Sequence, residues 1–241
     1  VFLEIGAGGG QLTLPLARSV KARLLAIEPE PYLAGRLRKA IGVEKLQQVE
    51  VIEADFLSLD LTDLLNERDL ARVRVVGNLP YSIASHMLQK LLAVRNRLTD
   101  LTLMFQQEVA ERLIASPSTK AYGYLSVMAQ QATQPRIVFR IPPHAFKPRP
   151  KVNSALVRLE PKDAAELPVA DIAVFKALVK SLLAHRRKNI SNNLKHLRSK
   201  WLEESTVRHG LAHLNIDDSR RAESLTVEEF AALSQFCASP R

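Results

Sequence analysis

Val1-Phe2-Leu3-Glu4-Ile5-Gly6-Ala7-Gly8-Gly9-Gly10 reads as a short buried strand that breaks off in a run of glycines. A helical pattern over residues 11–19 follows at once, so the glycines form the turn between strand and helix. Without side chains, such a turn lets a ligand approach the backbone closely. The same unit recurs downstream. Short apolar runs at 23–28, 49–54, 72–77 and 101–105 alternate with amphipathic helical stretches at 32–41, 61–66, 82–94 and 107–115. Crossovers of helical length between such runs predict an α/β fold with a parallel, doubly wound sheet.

The rhythm changes after a further helical stretch at 124–132. Strand-like runs at 136–141 and 155–160 are joined by a proline-rich segment, which predicts an antiparallel hairpin at the edge of a mostly parallel sheet. The polar stretch 160–168 is bracketed by prolines and reads as a boundary. The predicted domains are therefore 1–165 and 166–241. The second shows only helical periodicity, at 170–184, 188–202, 207–214 and 227–238, and reads as a small all-helical domain.

With 46% hydrophobic residues the chain can build a core, and 34 Lys and Arg against 25 Asp and Glu leave a net charge of +9. That excess favours a polyanionic partner, nucleic acid before a membrane surface. No apolar run reaches the length of a membrane span, so no membrane partner is expected. The single cysteine, Cys237, excludes an internal disulfide and fits a cytoplasmic location. The chain starts inside a strand without a methionine, from which a missing N-terminal segment is expected. His209 and His213 stand four residues apart but have no neighbouring cysteine and no His-Glu-x-x-His pattern, so no metal is expected. His86 and His144 suggest no role.

A second decisive stretch is Val75-Val76-Gly77-Asn78-Leu79-Pro80-Tyr81. Pro80 lacks an N–H and biases Leu79 toward an extended backbone, which makes a stiff corner at a strand end. Asn78 can accept a hydrogen bond from an amine, and Tyr81 can stack on a flat ring. The loop holds no acid, base or metal ligand. It suits a reaction in which an exocyclic amine is positioned rather than deprotonated.

The first loop has the pattern Glu-x-Gly-x-Gly-x-Gly over Glu4, Gly6, Gly8 and Gly10, with Gln11 where a dinucleotide fingerprint has its third glycine. Glu4 would repel a pyrophosphate and suits a positively charged amino-acid end. Glu28, closing the second strand, can hold two ribose hydroxyls. Asp55, after the third, can accept from an adenine amine. Together they indicate an adenosine ligand without phosphates, namely S-adenosylmethionine.

These loops resemble those of the ribosomal RNA adenine N6,N6-dimethyltransferases. The resemblance extends through Gln107-Glu108-Val109, Arg112-Leu113, Tyr122-Gly123, Leu125-Ser126-Val127, the run Phe146-Lys147-Pro148-Arg149-Pro150-Lys151-Val152-Asn153-Ser154-Ala155, Arg186-Arg187-Lys188 and Arg221-Ala222-Glu223. It implies a Rossmann-like S-adenosylmethionine-dependent methyltransferase sheet. Gly6, Glu28, Asp55 and Asn78 would line the cofactor site. Asn78, the Leu79 carbonyl, Pro80 and Tyr81 would hold the target adenine, with Phe146 on its other face. The family's basic N-terminal segment has no counterpart here.

The basic residues of the C-terminal region are His185, Arg186, Arg187, Lys188, Lys195, His196, Arg198 and Lys200, with Asn189, Asn192 and Asn193 among them. Beside an RNA-modifying domain they are expected to contact rRNA phosphates, as are Lys147, Arg149 and Lys151 near the active-site mouth. The family's small-subunit branch implies dimethylation of two adjacent adenosines near the 3′ end of small-subunit rRNA, within an immature subunit, by a monomer. Leu79, Arg186-Arg187-Lys188 and Arg221-Ala222-Glu223 favour that branch. The alternatives are the large-subunit adenine methyltransferases of the macrolide-resistance type and a non-catalytic assembly factor.

Overall fold

The computed structural model describes residues 1–163, 165–197 and 201–238. Strand and helix alternate through the first half: β1 (Phe2–Ile5), α1 (Thr13–Ser19), β2 (Leu24–Glu28), α2 (Pro31–Glu44), β3 (Val49–Glu53), α3 (Leu61–Asn66), β4 (Val73–Asn78), α4 (Ala84–Ala93), β5 (Leu98–Gln106) and α5 (Gln107–Leu113). There follow α6 (Tyr124–Ala132), β6 (Thr133–Ile141), β7 (Ser154–Pro161), α7 (Ile172–Leu182), α8 (Ile190–Leu194), α9 (Glu204–His213) and α10 (Val227–Ala238).

The strands form one seven-stranded sheet in the order β3-β2-β1-β4-β5-β7-β6. Parallel pairing runs from β3 to β5, and β7 lies antiparallel to β5. This is the doubly wound arrangement with an antiparallel strand predicted from the alternation. β2 is buried along its whole length, as a strand covered on both faces must be, and its sequence Leu-Leu-Ala-Ile is accordingly an unbroken apolar run. One detail differs from sequence order. β7 pairs with β5 and so lies inside β6, which takes the edge. The chain winds β1-β2-β3 in one direction and then returns to place β4 and β5 on the other side of β1, so the order reverses between β1 and β4. Open α/β sheets bind ligands at such a reversal, at the carboxyl ends of the strands.

The chain divides into two compact units, Val1–Ala110 with Pro135–Pro161, and Glu111–Gln134 with Lys162–Arg241. The segment 111–134, which sequence order puts with the first predicted domain, thus belongs to the second unit. Its core joins Tyr122, Val127 and Met128 to Phe175, Leu178, Leu211 and Phe230. The Tyr122 hydroxyl donates to the Leu225 carbonyl at 2.8 Å, and burial with nearby Glu228 and Glu229 raises its pKa. α7 starts at Asp171, whose carboxylate accepts from the Ala173 and Val174 N–H groups, a cap of the expected kind.

The helix predicted over 188–202 is much shorter. α8 covers only Ile190–Leu194, opened by the Asn189 side chain accepting from Asn192 N–H at 2.9 Å. The Asn193 side chain donates to the His185 and Lys188 carbonyls and so ties α8 to the turn before it. Arg198 and Lys200 lie outside the described residues. The piece predicted at 207–214 is instead the longer α9.

Candidate active site at the carboxyl ends of the parallel strands

Strand register sets the site. Ile5 lies beside Ile27 on one side and Gly77 on the other, and Glu28 lies beside Glu53. The residues that follow, in the loops after β1, β2, β3 and β4, therefore emerge at one edge of the sheet. Gly6 and Ala7 both donate N–H to the Ile27 carbonyl, and Ala54 N–H reaches the Glu28 carbonyl at 3.3 Å. Gly6 (φ 73°), Gly8 (φ 57°) and Gly10 (φ 91°) take left-handed backbone, which a side chain would strain. A β-carbon on Gly6 would also stand 3.7 Å from the Asn78 carbonyl oxygen, so the glycine loop and the Asn78 loop are neighbours.

Four expected cofactor residues meet here with distinct electrostatics. The buried Glu28 carboxylate accepts from Gly8 N–H at 2.6 Å and Glu30 N–H at 3.0 Å. Each oxygen keeps a lone pair for a further donor. Asp55 is exposed; its Oδ1 accepts from Leu57 N–H at 2.9 Å, and its other oxygen has no hydrogen bond among the described residues. Glu4 is 1% exposed, and its Oε2 has no hydrogen-bond partner among the described residues. Burial raises its pKa from 4.5 to about 7; the Thr13 side chain offsets part of the rise and the Glu28 charge adds to it. Asn78 closes β4 with its side chain exposed. A buried carboxylate oxygen without a donor, two acceptors at the next strand ends and a cradle without β-carbons fit S-adenosylmethionine. Its ammonium matches Glu4, its ribose diol Glu28 and its adenine amine Asp55.

The second set of expected residues converges on the same edge. Leu79 is buried, Pro80 exposed and Tyr81 half-buried. β7 runs antiparallel to β5 with Ser154 opposite Gln106, so the 142–153 segment joins the site's edge of the sheet. Gln107 N–H donates to the Asn153 carbonyl, and the Tyr81 hydroxyl lies 2.5 Å from the Ser154 hydroxyl. Phe146 sits half-buried in this segment, with Lys147, Arg149 and Lys151 exposed beside it.

Two supporting residues are not apparent as such from the sequence. Ser154, fully buried, holds the Tyr81 ring by its hydroxyl. Lys90 donates to the Leu57 carbonyl at 2.7 Å and lies 5.8 Å from the Phe56 ring centroid, which fixes the turn after Asp55. Ser154 falls within the Phe146–Ala155 run, but its partner is distant in sequence. Lys90 carries no signal beyond helical position.

The basic residues of the second unit differ among themselves. Arg187, Lys188 and Lys195 are exposed. The Arg186 guanidinium is instead occupied, with Glu223 at 2.9 and 3.0 Å, the Lys120 carbonyl at 2.7 Å and the Thr119 carbonyl at 3.2 Å. Among the described residues no group of three or more His, Cys, Asp or Glu is placed to hold a metal. The His213 ring packs on Phe236 with centroids 5.1 Å apart. No helix among the described residues is long and apolar enough to cross a membrane.

The chain is similar to known proteins in sequence and in fold. The chain is 39% identical over 234 residues to the ribosomal RNA small subunit methyltransferase A of Alkaliphilus oremlandii, covering 97% of this chain and 80% of that one. It is 41% identical over 231 residues to the protein of the same name from Chlorobium phaeobacteroides, covering 96% and 80%. A dimethyladenosine transferase from Plasmodium falciparum shares the fold, with a TM-score of 0.78 at 24% identity over 96% of this chain and 87% of that one. The 23S rRNA methyltransferase ErmE superposes with a TM-score of 0.67 at 26% identity, over 99% and 91%. The model of one family, Ribosomal RNA adenine dimethylase, matches residues 1–239. With that match over nearly the whole chain and relatives of about 40% identity, the chain belongs to the ribosomal RNA adenine dimethylase family.

Proposed function

We propose that this chain dimethylates the N6 amines of two adjacent adenosines near the 3′ end of small-subunit rRNA, using S-adenosylmethionine. The observation that carries the reading is the Asn78–Tyr81 corner, set against the glycine loop where the strand order reverses. The cofactor supplies a methyl group already activated on a sulfonium, so the protein's task is placement. Glu4, Glu28 and Asp55 hold its ammonium, ribose and adenine. Asn78 Oδ1 and the Leu79 carbonyl accept the two N–H groups of the target amine. Those bonds favour a pyramidal nitrogen whose lone pair points at the methyl instead of into the ring. Tyr81, fixed by Ser154, stacks on one face of the adenine and Phe146 on the other.

An adenine inside a helix cannot reach this corner, so the target is flipped out or unpaired. Exposed Lys147, Arg149, Lys151, Arg187, Lys188 and Lys195 contact phosphates, and recognition rests on the shape of folded rRNA. The chain acts as a cytoplasmic monomer on the immature small subunit. The relatives named small subunit methyltransferase A favour this substrate over the 23S rRNA of ErmE.

The test is to map methylated adenines after incubation with unmethylated small and large ribosomal subunits. Modification of the small-subunit 3′ end is expected; modification of large-subunit rRNA overturns the reading. Asn78→Ala should lose at least about a hundredfold in methyl transfer while subunit binding is retained. Loss of binding as well would make the loop structural.

A further inference from the structure

Within the second unit, a cavity of about 250 Å³ opens between α7 and α8. Ala177, Lys180 and Ser181 line it from α7, Ala184 and His185 from the turn that follows, and Asn193 and His196 from α8 and beyond. No acidic side chain is among them. Asn193 is 2% exposed, so nearly all its surface is covered by protein. Its Nδ2 donates to the His185 and Lys188 carbonyls at 3.3 and 3.4 Å, while its Oδ1 has no partner among the described residues. The amide is thereby oriented as an acceptor that lacks a donor. Leaving it so carries a desolvation cost, which a ligand N–H would relieve.

The His185 and His196 rings meet edge to face with centroids 5.6 Å apart, both on exposed residues. Lys188 Nζ lies 3.3 Å from His196 Nε2; since an ammonium only donates, that nitrogen is the acceptor. We infer that this cavity is a docking site for one unpaired nucleotide of the RNA substrate. The base enters against the imidazoles with an N–H aimed at Asn193 Oδ1, and Lys180 and Lys188 neutralise the phosphate. A bare phosphate does not fit as well, because it has no flat ring to set against the two imidazoles. The volume is below the roughly 300–1,000 Å³ of sites for drug-sized ligands, so one base fits and a dinucleotide does not. The inference rests on the reading of the chain as an rRNA-modifying enzyme, and it assigns this site no part in methyl transfer.

The probe is cytidine 5′-monophosphate, titrated into the full isotope-labelled chain while the His185 and His196 ring resonances are followed. Uridine 5′-monophosphate keeps a base N–H and serves as a second ligand. The N4,N4-dimethyl form of the cytidine nucleotide has no base N–H, and inorganic phosphate has no base. Saturable shifts of both rings with the two natural nucleotides are expected, with the dimethylated form and phosphate at least about tenfold weaker. His196→Ala, at an exposed position, should weaken cytidylate about tenfold, a typical loss for one stacking side chain. Equal shifts with phosphate would reduce the site to an anion pocket and overturn the proposal. So would the absence of a saturable shift in a chain whose spectrum shows it folded. Either result leaves the methyl-transfer reading to its own assay.

Discussion

At the scale of single residues, two side chains that do not touch the target adenine set testable conditions on the site. Ser154 holds the Tyr81 hydroxyl from 73 residues away. If that bond orients the stacking ring, Ser154→Ala and Tyr81→Phe each lower the single-turnover rate by up to about tenfold, and the double variant is no worse than either. Additive losses would separate the two residues. Glu4 adds a pH dependence. Its native pKa of about 7 lies above the ordinary 4.5, so the folded state holds this proton more tightly than the unfolded chain does. The stabilisation is complete below pH 4.5 and falls away as pH rises to 7, by on the order of 3 kcal/mol. Glu4→Gln should remove this loss, so its urea midpoint should gain on the wild type between pH 5 and pH 8. Parallel midpoints would place the pH response elsewhere. The strand-end residues Glu28, Asp55 and Asn78 are legible in sequence because each follows an apolar run that marks where the strand stops. Ser154 is not, since nothing local records a partner so distant.

At the scale of elements, Gly77 shows how closely β4 and β1 approach. A β-carbon there would lie 2.8 Å from the Ile5 carbonyl oxygen and 3.2 Å from Leu79 Cδ2, a collision with backbone that cannot swing aside. Gly77→Ala should cost about 1–3 kcal/mol and displace the Asn78 corner with it. Gly35→Ala in α2, where no atom lies within 4 Å of the added carbon, should be neutral or stabilising. Thermal melts of the pair test this, and equal melting temperatures would refute the close approach. The apolar runs forecast the parallel strands well, because a fully covered strand such as β2 has no polar face to confuse the pattern. The helix after Asn189 is shorter than its apolar spacing predicts, ending at Leu194.

At the scale of the whole chain, net charge indicates a polyanionic partner but not which cations serve it. All four of Arg186, Arg187, Lys188 and Lys195 are exposed, but the Arg186 guanidinium is committed to Glu223 and to two carbonyls of the 111–134 segment. Arg186→Ala should therefore lower the melting temperature with little change in the salt slope of RNA binding. Removing the other three charges should flatten that slope by up to about 0.7–0.9 for each phosphate no longer neutralised, with the melting temperature kept. The reverse pattern would exchange their roles. Sequence cannot divide these residues, because Arg186 finds its partners 37, 66 and 67 positions away.

The Tyr122–Leu225 bond reaches further still, across 103 positions. A ribosome making about 5–20 residues per second needs roughly 5–20 s to cover that interval. For most of it, the apolar side chains of 111–134 have been made while α10, which completes their core, does not yet exist. A member of the ribosomal RNA adenine dimethylase family thus passes part of its own synthesis with a hydrophobic segment waiting for a helix not yet made.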